Sequence, residues 1–287
     1  MVPKHTTGNF DPVPRDSLSR PASAKDAPEF LDDAHRYRSA SAFRTGADTY
    51  DFVRPGYPDE VVDLVAGRRT VLDVGAGTGK LTSRLIESGH EVLASDPSPD
   101  MVRVLARLGV PVWRATAEVT SLADASVDAV TCAQAWHWVD AAAACRELDR
   151  VVRPGGRVVL VWNNLDVSHP WILRLARIMH SGDIQRPGFL PEVHDPWRIT
   201  FELRTGWVQH LRTGEVHQLM QTRSYWLRSP QKIRERMTRN LDWYLFERLG
   251  FQEGQLLPIP YRTDAFVLER SIPHSPTTGN LQAPGFS

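Results

Sequence analysis

The chain has 287 residues, with 34 Lys+Arg against 34 Asp+Glu and a formal net charge of zero at pH 7. Proteins that take their affinity from neutralised phosphates carry a basic excess, so this balance argues against a nucleic-acid partner. The two cysteines, Cys132 and Cys145, give neither a disulfide framework nor a CxxC motif, and no apolar run reaches the ~20 residues of a membrane span. The opening residues, MVPKHTTGNF, lack the apolar stretch of a secretory signal. The expectation is a soluble, cytoplasmic protein with no membrane partner, and 41% hydrophobic residues are enough for a sizeable core.

Residues 1–30 are rich in proline and serine and poor in large apolar side chains, which reads as a disordered tail, and residues 271–287 read the same way. The folded part is therefore expected over 31–270. VLDV at 71–74 is a short strand closed by glycines, and TGKLTSRLIESG after it places Leu81, Leu85 and Ile86 on one helical face before Gly89. EVLASD is a second strand. Ser98 and Pro99 have the character of an N-cap and a first helical residue, Met101, Val102, Leu105 and Leu108 line the helix, and Gly109 ends it. PVWRA and VDAVTCAQ supply a third and a fourth strand, Asp140 precedes an alanine-rich helix, Arg153-Pro154-Gly155-Gly156 is a turn, and RVVLVWNN is a fifth strand. Both cysteines fall in apolar segments and read as small core residues.

Strands separated by helices of this length imply right-handed crossovers and a mainly parallel sheet covered on both faces, a doubly wound α/β fold. Beyond Asn164 the rhythm changes. A helix is expected around Trp171 to Met179, then two strand-like runs, RITFEL and WVQHLR. A helix behind Ser229-Pro230 carries Ile233, Met237, Leu241 and Leu245 at intervals of four, and YRTDAFVLER is placed to close the sheet.

The informative segment is Asp73-Val74-Gly75-Ala76-Gly77-Thr78-Gly79-Lys80, between the first strand and its helix. Glycine suits that bend because it reaches positive φ without strain and lets a ligand lie against bare backbone. In an open α/β sheet such a loop faces a ligand outside the strand ends. A phosphate-binding P-loop is excluded by spacing, since Val74 stands at its first glycine and Leu81 at its magnesium-binding hydroxyl. The dinucleotide fingerprint would need its third glycine at Lys80, and no YxxxK pair occurs, although an NAD(P)-dependent oxidoreductase stays as a rival reading.

With these segments in this order the chain resembles the class I S-adenosylmethionine-dependent methyltransferases, whose fold is Rossmann-like. VLDVGAGTGKLT is similar to their first motif, with Asp73, Gly75, Gly77 and Gly79 at the cofactor. The resemblance implies that Asp96, with Pro97 beside it, grips the ribose hydroxyls, that Met101 packs on the adenine, and that Thr116-Ala117-Glu118 meets the adenine edge. Many relatives carry Asp where Thr116 stands. Gln134 and Ala135 open a loop, through Trp138, beside the methionine part and the methyl group. Tyr50 to Pro58 is similar to an N-terminal segment in relatives of the trans-aconitate and ubiquinone-biosynthesis type, where it caps the pocket. Fainter similarity continues in RSYW at 223–226 and LPIPYRTDAFVLER near the end. The implied organisation is a cap over 40–65, a core over 70–164 that binds S-adenosyl-L-methionine, and a smaller C-terminal insertion over 165–250 that holds substrate or acts as a lid.

Several residues keep two readings. Asp73 either bonds nearby backbone or meets the cofactor's cationic amino group, and Arg54 is either a surface cation or a fork for its carboxylate. Trp136 and Trp138 either fill core or wall an aromatic pocket; strand alternation would put both on one face and His137 on the other. His137 is a candidate general base or a structural histidine. The substrate pocket is expected from Tyr50, Tyr57, Trp136, Trp138 and Asn163. No HExxH or paired spacing supports a metal. The expected reaction is methyl transfer to a small-molecule carboxylate, hydroxyl, amine or activated carbon by a monomer or homodimer, with a non-catalytic cofactor-binding module as a further alternative.

Overall fold

The computed structural model describes residues 21–29, 51–181 and 185–271. Five strands run parallel: β1 (Thr70–Val74), β2 (Glu91–Ser95), β3 (Val112–Trp113), β4 (Val127–Ala133) and β5 (Val152–Leu165). Two long strands, β6 (Trp197–Arg212) and β7 (Leu256–Arg270), complete the sheet in antiparallel sense, in the order β3-β2-β1-β4-β5-β7-β6. The chain winds outward from β1 to one edge and restarts at β4 on the other side. The strand order therefore reverses between β1 and β4, where an open sheet leaves a crevice beyond its strand ends.

Helices α1 (Asp59–Asp63) and α2 (Lys80–Glu87) lead into and out of β1, α3 (Pro99–Leu105) links β2 to β3, and α4 (Ala141–Val151) links β4 to β5. The expected caps are present. Ser98 accepts the Met101 amide at 3.5 Å ahead of Pro99, and Asp140 accepts the Ala143 amide at 3.0 Å. Because helices cover both faces, the central strands are buried on both, and alternate side chains feed two cores. Val71, Val159 and Val161 point to the layer of α1 and α2, whereas Leu72, Val158 and Leu160 join Cys145 and Leu148 of α4.

After β5 come α5 (Pro170–Ile178), β6, α6 (Thr213–Gln221), α7 (Ser224–Arg228) and α8 (Gln231–Asp242). They enclose a third core of Trp171, Leu219, Leu241, Tyr244 and Tyr261, in which the Tyr244 hydroxyl donates to the Trp171 carbonyl at 2.9 Å. The four-residue spacing read behind Pro230 runs through α8 and widens into a π turn over Trp243–Arg248.

Four local expectations change. RITFEL and WVQHLR are one continuous strand, β6, because β7 pairs with it along nearly its whole length. Arg153 to Gly156 lies inside β5 as an excursion, with Val152 and Arg157 pairing on either side to Val127 and Ala129 of β4. Trp136–Trp138 is a 3₁₀ turn, so strand alternation does not apply to it. Residues 21–29, within the expected tail, lie on the domain: Ala22 packs against the third core, the Arg186 amide donates to the Lys25 carbonyl at 2.6 Å, and Asp26 pairs with Arg186 at 2.6 Å. Backbone and charge hold that segment, so a shortage of large apolar residues does not mark it. Tyr50, the first part of the cap, and the remainder of both expected tails fall outside the described residues. Among the described residues no helix is long and apolar enough to cross a membrane.

The β5 excursion depends on one missing side chain. A Cβ on Gly156 would lie 2.4 Å from Val152 Cγ1 and 2.7 Å from the Asp128 carbonyl oxygen. Gly156→Ala should destabilise the fold by about 1–3 kcal/mol, as overpacking does. Gly214→Ala in α6, where nothing lies within 4 Å, should instead stabilise it slightly. Thermal unfolding of the two variants should move the midpoint in opposite directions.

Candidate active site

A cavity of about 1580 Å³ opens over the carboxyl ends of the parallel strands. Its floor begins with the glycine loop, in which Gly75, Gly77 and Gly79 all take positive φ, at 64°, 59° and 94°. At Gly75 a Cβ would lie 2.5 Å from Ala135 Cβ, so the β1 and β4 loops can meet only through a glycine. At Gly77 nothing lies within 4 Å, which leaves bare backbone facing the cavity. The Gly77 amide donates to Asp96 at 3.0 Å and the Ala76 amide to the Ser95 carbonyl at 3.0 Å, which clips the loop to the end of β2.

Two buried carboxylates stand at adjacent strand ends. Asp73, on β1, accepts the hydroxyls of Thr82 at 2.6 Å and Thr131 at 2.8 Å. Burial pushes its pKa up to about 6 against those two hydrogen bonds, and the charge of Asp96 raises it further. Asp96, just past β2, accepts the amides of Gly77 and Ser98, the latter at 2.8 Å, and burial again raises its pKa. Among the described residues only neutral donors hydrogen-bond to either group. Their negative charge suits a cationic or hydroxyl-bearing ligand.

Pro97, Met101, Thr116, Ala117 and Glu118 continue the wall from the ends of β2 and β3. Met101 is buried, and the Glu118 carboxylate turns to the start of α4, accepting the Asp140 amide at 2.8 Å. On the β4 side Gln134 is held at φ 57°, donates its amide to Val161 at 2.8 Å, and reaches with its side chain to the Asn163 carbonyl at 2.5 Å. A non-glycine residue in that region is strained unless its surroundings impose it, and here two hydrogen bonds do. Asn163 in turn donates to the Gly56 carbonyl at 2.7 Å and accepts the Thr263 hydroxyl at 2.6 Å, joining cap, β5 and β7.

The aromatic segment separates into different roles. Trp136 is core: it is buried, its indole donates to the Glu192 carbonyl at 2.9 Å, and it does not line the cavity, which corrects its expected place in the substrate pocket. A 3₁₀ turn spaces side chains around an axis, so Trp136 points inward while His137 and Trp138 line the cavity. His137 Nδ1 accepts the Trp162 indole at 3.4 Å, and burial lowers its pKa to about 4. With Nδ1 accepting, the neutral ring carries its proton on Nε2 and presents a donor, which is unlike a general base. Tyr57 also lines the cavity. Arg54 does as well, but it is no loose surface cation, since it donates to the Thr222 hydroxyl and carbonyl at 3.0 Å each, at the end of α6.

Sequence reasoning missed the far wall, to which His180, Ser181 and Gln185 contribute beside Arg223, Tyr225 and Tyr261. The last three fall in the two segments of fainter similarity; the first three carried no signal. Among the described residues no group of three or more His, Cys, Asp or Glu is placed to hold a metal ion.

Residues 72–160 match the family described as a methyltransferase domain. An uncharacterised methyltransferase of Mycobacterium tuberculosis is 41% identical over 229 residues, 77% of this chain and 93% of that protein. An uncharacterised methyltransferase-like protein of Schizosaccharomyces pombe is 32% identical over 246 residues, 79% of this chain and 95% of its own length. The chain belongs to the methyltransferase family. A solved methyltransferase of Geobacter sulfurreducens in complex with S-adenosyl-L-homocysteine is also similar, at 15% identity and a TM-score of 0.43 over 76% of this chain and 93% of that one.

In this methyltransferase Asp73 is kept ionised at neutral pH at a cost to the fold. Its folded pKa of about 6 lies above the ordinary 3.8, so the native state binds that proton more tightly than the unfolded chain. The group therefore favours folding below its ordinary pKa, and the advantage is lost as pH rises through about 6. Above that range the unfavourable charge amounts to at most about 3 kcal/mol. Asp73→Asn should raise stability at pH 8, with the gain shrinking toward pH 4, as measured by urea unfolding of the ligand-free protein.

Proposed function

We propose that this methyltransferase binds S-adenosyl-L-methionine along the glycine loop and the ends of β1 to β4, and methylates a small molecule held against the far wall of the same cavity. The observation that carries the reading is the pair Asp73 and Asp96, buried beside the open backbone of Gly77 and, among the described residues, hydrogen-bonded only by neutral donors.

These residues fit the cofactor. Each Asp96 oxygen accepts one amide and keeps capacity for another donor, so two ribose hydroxyls can be taken, at about 1.5–3 kcal/mol per charge-assisted bond. Asp73 offers its charge to a cationic amino group. The buried Thr78 hydroxyl, which lines the cavity, has no hydrogen-bond partner among the described residues and is available to the same ligand. Bound there, S-adenosyl-L-methionine supplies a methyl group on positively charged sulfur. The chain's own part is to hold the acceptor in line with that methyl and to exclude water, which the aromatic rings of Tyr57 and Trp138 and the brace through Asn163 support. His137 contributes a hydrogen-bond donor to the wall.

Calorimetry tests the reading against the dinucleotide alternative. S-adenosylhomocysteine should bind the wild-type protein, and Asp96→Ala should bind it at least tenfold more weakly, given the bond strengths above. Tight binding of NAD with none of the sulfur compound would sink the proposal. A screen of small acids, phenols and amines for acceptor-dependent release of S-adenosylhomocysteine identifies the acceptor.

A further inference from the structure

The far wall of the cavity holds a second histidine whose setting differs from that of His137. Helix α5 closes with the His180 amide donating to the Arg177 carbonyl at 3.2 Å and the Ser181 amide to the Ala176 carbonyl at 2.8 Å, the bonding of a helix end that turns through a left-handed residue. That residue is His180, at φ 52°. Glycine fills this position without conformational cost, whereas histidine adopts it at a small one. Its ring stacks face to face on Tyr225, with centroids 3.8 Å apart and planes inclined by 13°, and both residues line the cavity.

Stacking covers one face of the imidazole and leaves its nitrogens along the edge. Neither nitrogen has a hydrogen-bond partner among the described residues, whereas Nδ1 of His137 is taken by Trp162. His180 is exposed overall, and partial desolvation together with the charge of Arg236 on α8 lowers its pKa from the ordinary 6.5, so at neutral pH the ring is uncharged and one nitrogen can accept a proton. Arg177 on α5, Arg223, and Arg228 on α7 also line the cavity, as do Arg54, Lys25 and the anionic Glu29, and Tyr261 stands on β7. A carboxylate acceptor needs no base, but a weakly acidic hydroxyl does.

We propose that His180 is the catalytic proton acceptor of this methyltransferase and that the His180–Tyr225 stack selects a flat acceptor bearing a weakly acidic hydroxyl. The inference rests on the cofactor reading above. As the hydroxyl oxygen attacks, its O–H bond breaks toward a His180 nitrogen, the oxygen pair forms the O–C bond, and the C–S pair returns to sulfur. Protonated His180 then releases its proton to water.

The probe is 4-methylphenol, with 4-methylbenzoate of matching size, titrated into the full-length protein saturated with S-adenosylhomocysteine. The phenol should bind wild type better than the benzoate, and its binding should weaken as pH falls through a value below 6.5, where His180 gains a proton. His180→Gln should remove that pH limb and weaken binding at least tenfold, and Tyr225→Leu should weaken binding by a similar factor. S-adenosylhomocysteine affinity should be unchanged in both variants. Preference for the benzoate, no phenol binding, or the same limb in His180→Gln would each overturn the proposal. If His180→Gln does not fold, the wild-type preference and the Tyr225→Leu result decide. Failure of wild type to bind S-adenosylhomocysteine strikes the cofactor reading instead.

Discussion

The site is organised around one buried carboxylate. Asp73 is the penultimate residue of β1, and its two oxygens are held by Thr82 from α2 and Thr131 from β4, so a single charged group ties together the strand, the helix that follows it and the next parallel strand. That triangle sits where the strand order reverses, at the only place in an open parallel sheet where neighbouring loops part and leave a crevice. Burying a charge with neutral partners alone is unfavourable, and the raised pKa of Asp73 is the sign of it. The arrangement is understandable as ligand binding prepared in advance: the hydroxyls orient the carboxylate, and its unused capacity faces the cavity.

A second network sets the opposite side. Asn163 binds the cap through Gly56 and β7 through Thr263, while Gln134 reaches its carbonyl from the β4 loop. Next to it the fully buried Asp264 receives Arg204 at 2.7 Å and Arg262 at 2.8 Å, with Asn164 at 3.3 Å. Loss of a member from such a group leaves a buried charge without compensation, so the pairing of β5, β7 and β6 is held in one register. The antiparallel strands thus carry Tyr261 to the cavity, and α5 and α7 bring His180 and Tyr225 against each other above it. The far wall is consequently a product of the long β6–β7 pair and the helices around it, separate from the ends of the parallel strands.

Much of the first half of the chain was legible because its signals are local. Ser98 and Asp140 cap the helices they precede, and the glycines of the first loop take the positive φ that their type allows. Trp136 and Trp138 were not legible. Both suit a strand, yet the chain turns at Gln134, and the indole of Trp136 is satisfied by a carbonyl at Glu192, far along the sequence. Residues 21–29 were read as tail for a related reason: the contacts that hold them come from Arg177 and Arg186, which no local pattern associates with Pro21 or Asp26.

By itself the sequence determined the parallel α/β core, the glycine loop and the two acidic strand ends, since each depends on residues within one strand–loop–helix unit and on the conformations those residue types permit. Tertiary structure alone decided which histidine stacks on a tyrosine at the cavity, which tryptophan faces it, and what Arg54 binds. Those outcomes depend on partners such as Trp162, Tyr225 and Thr222, contributed by other strands and helices, and on the desolvation that shifts the protons of Asp73, His137 and His180. Hydrogen bonding and desolvation of that kind arise only when distant segments close on one another, so no spacing along the chain records them.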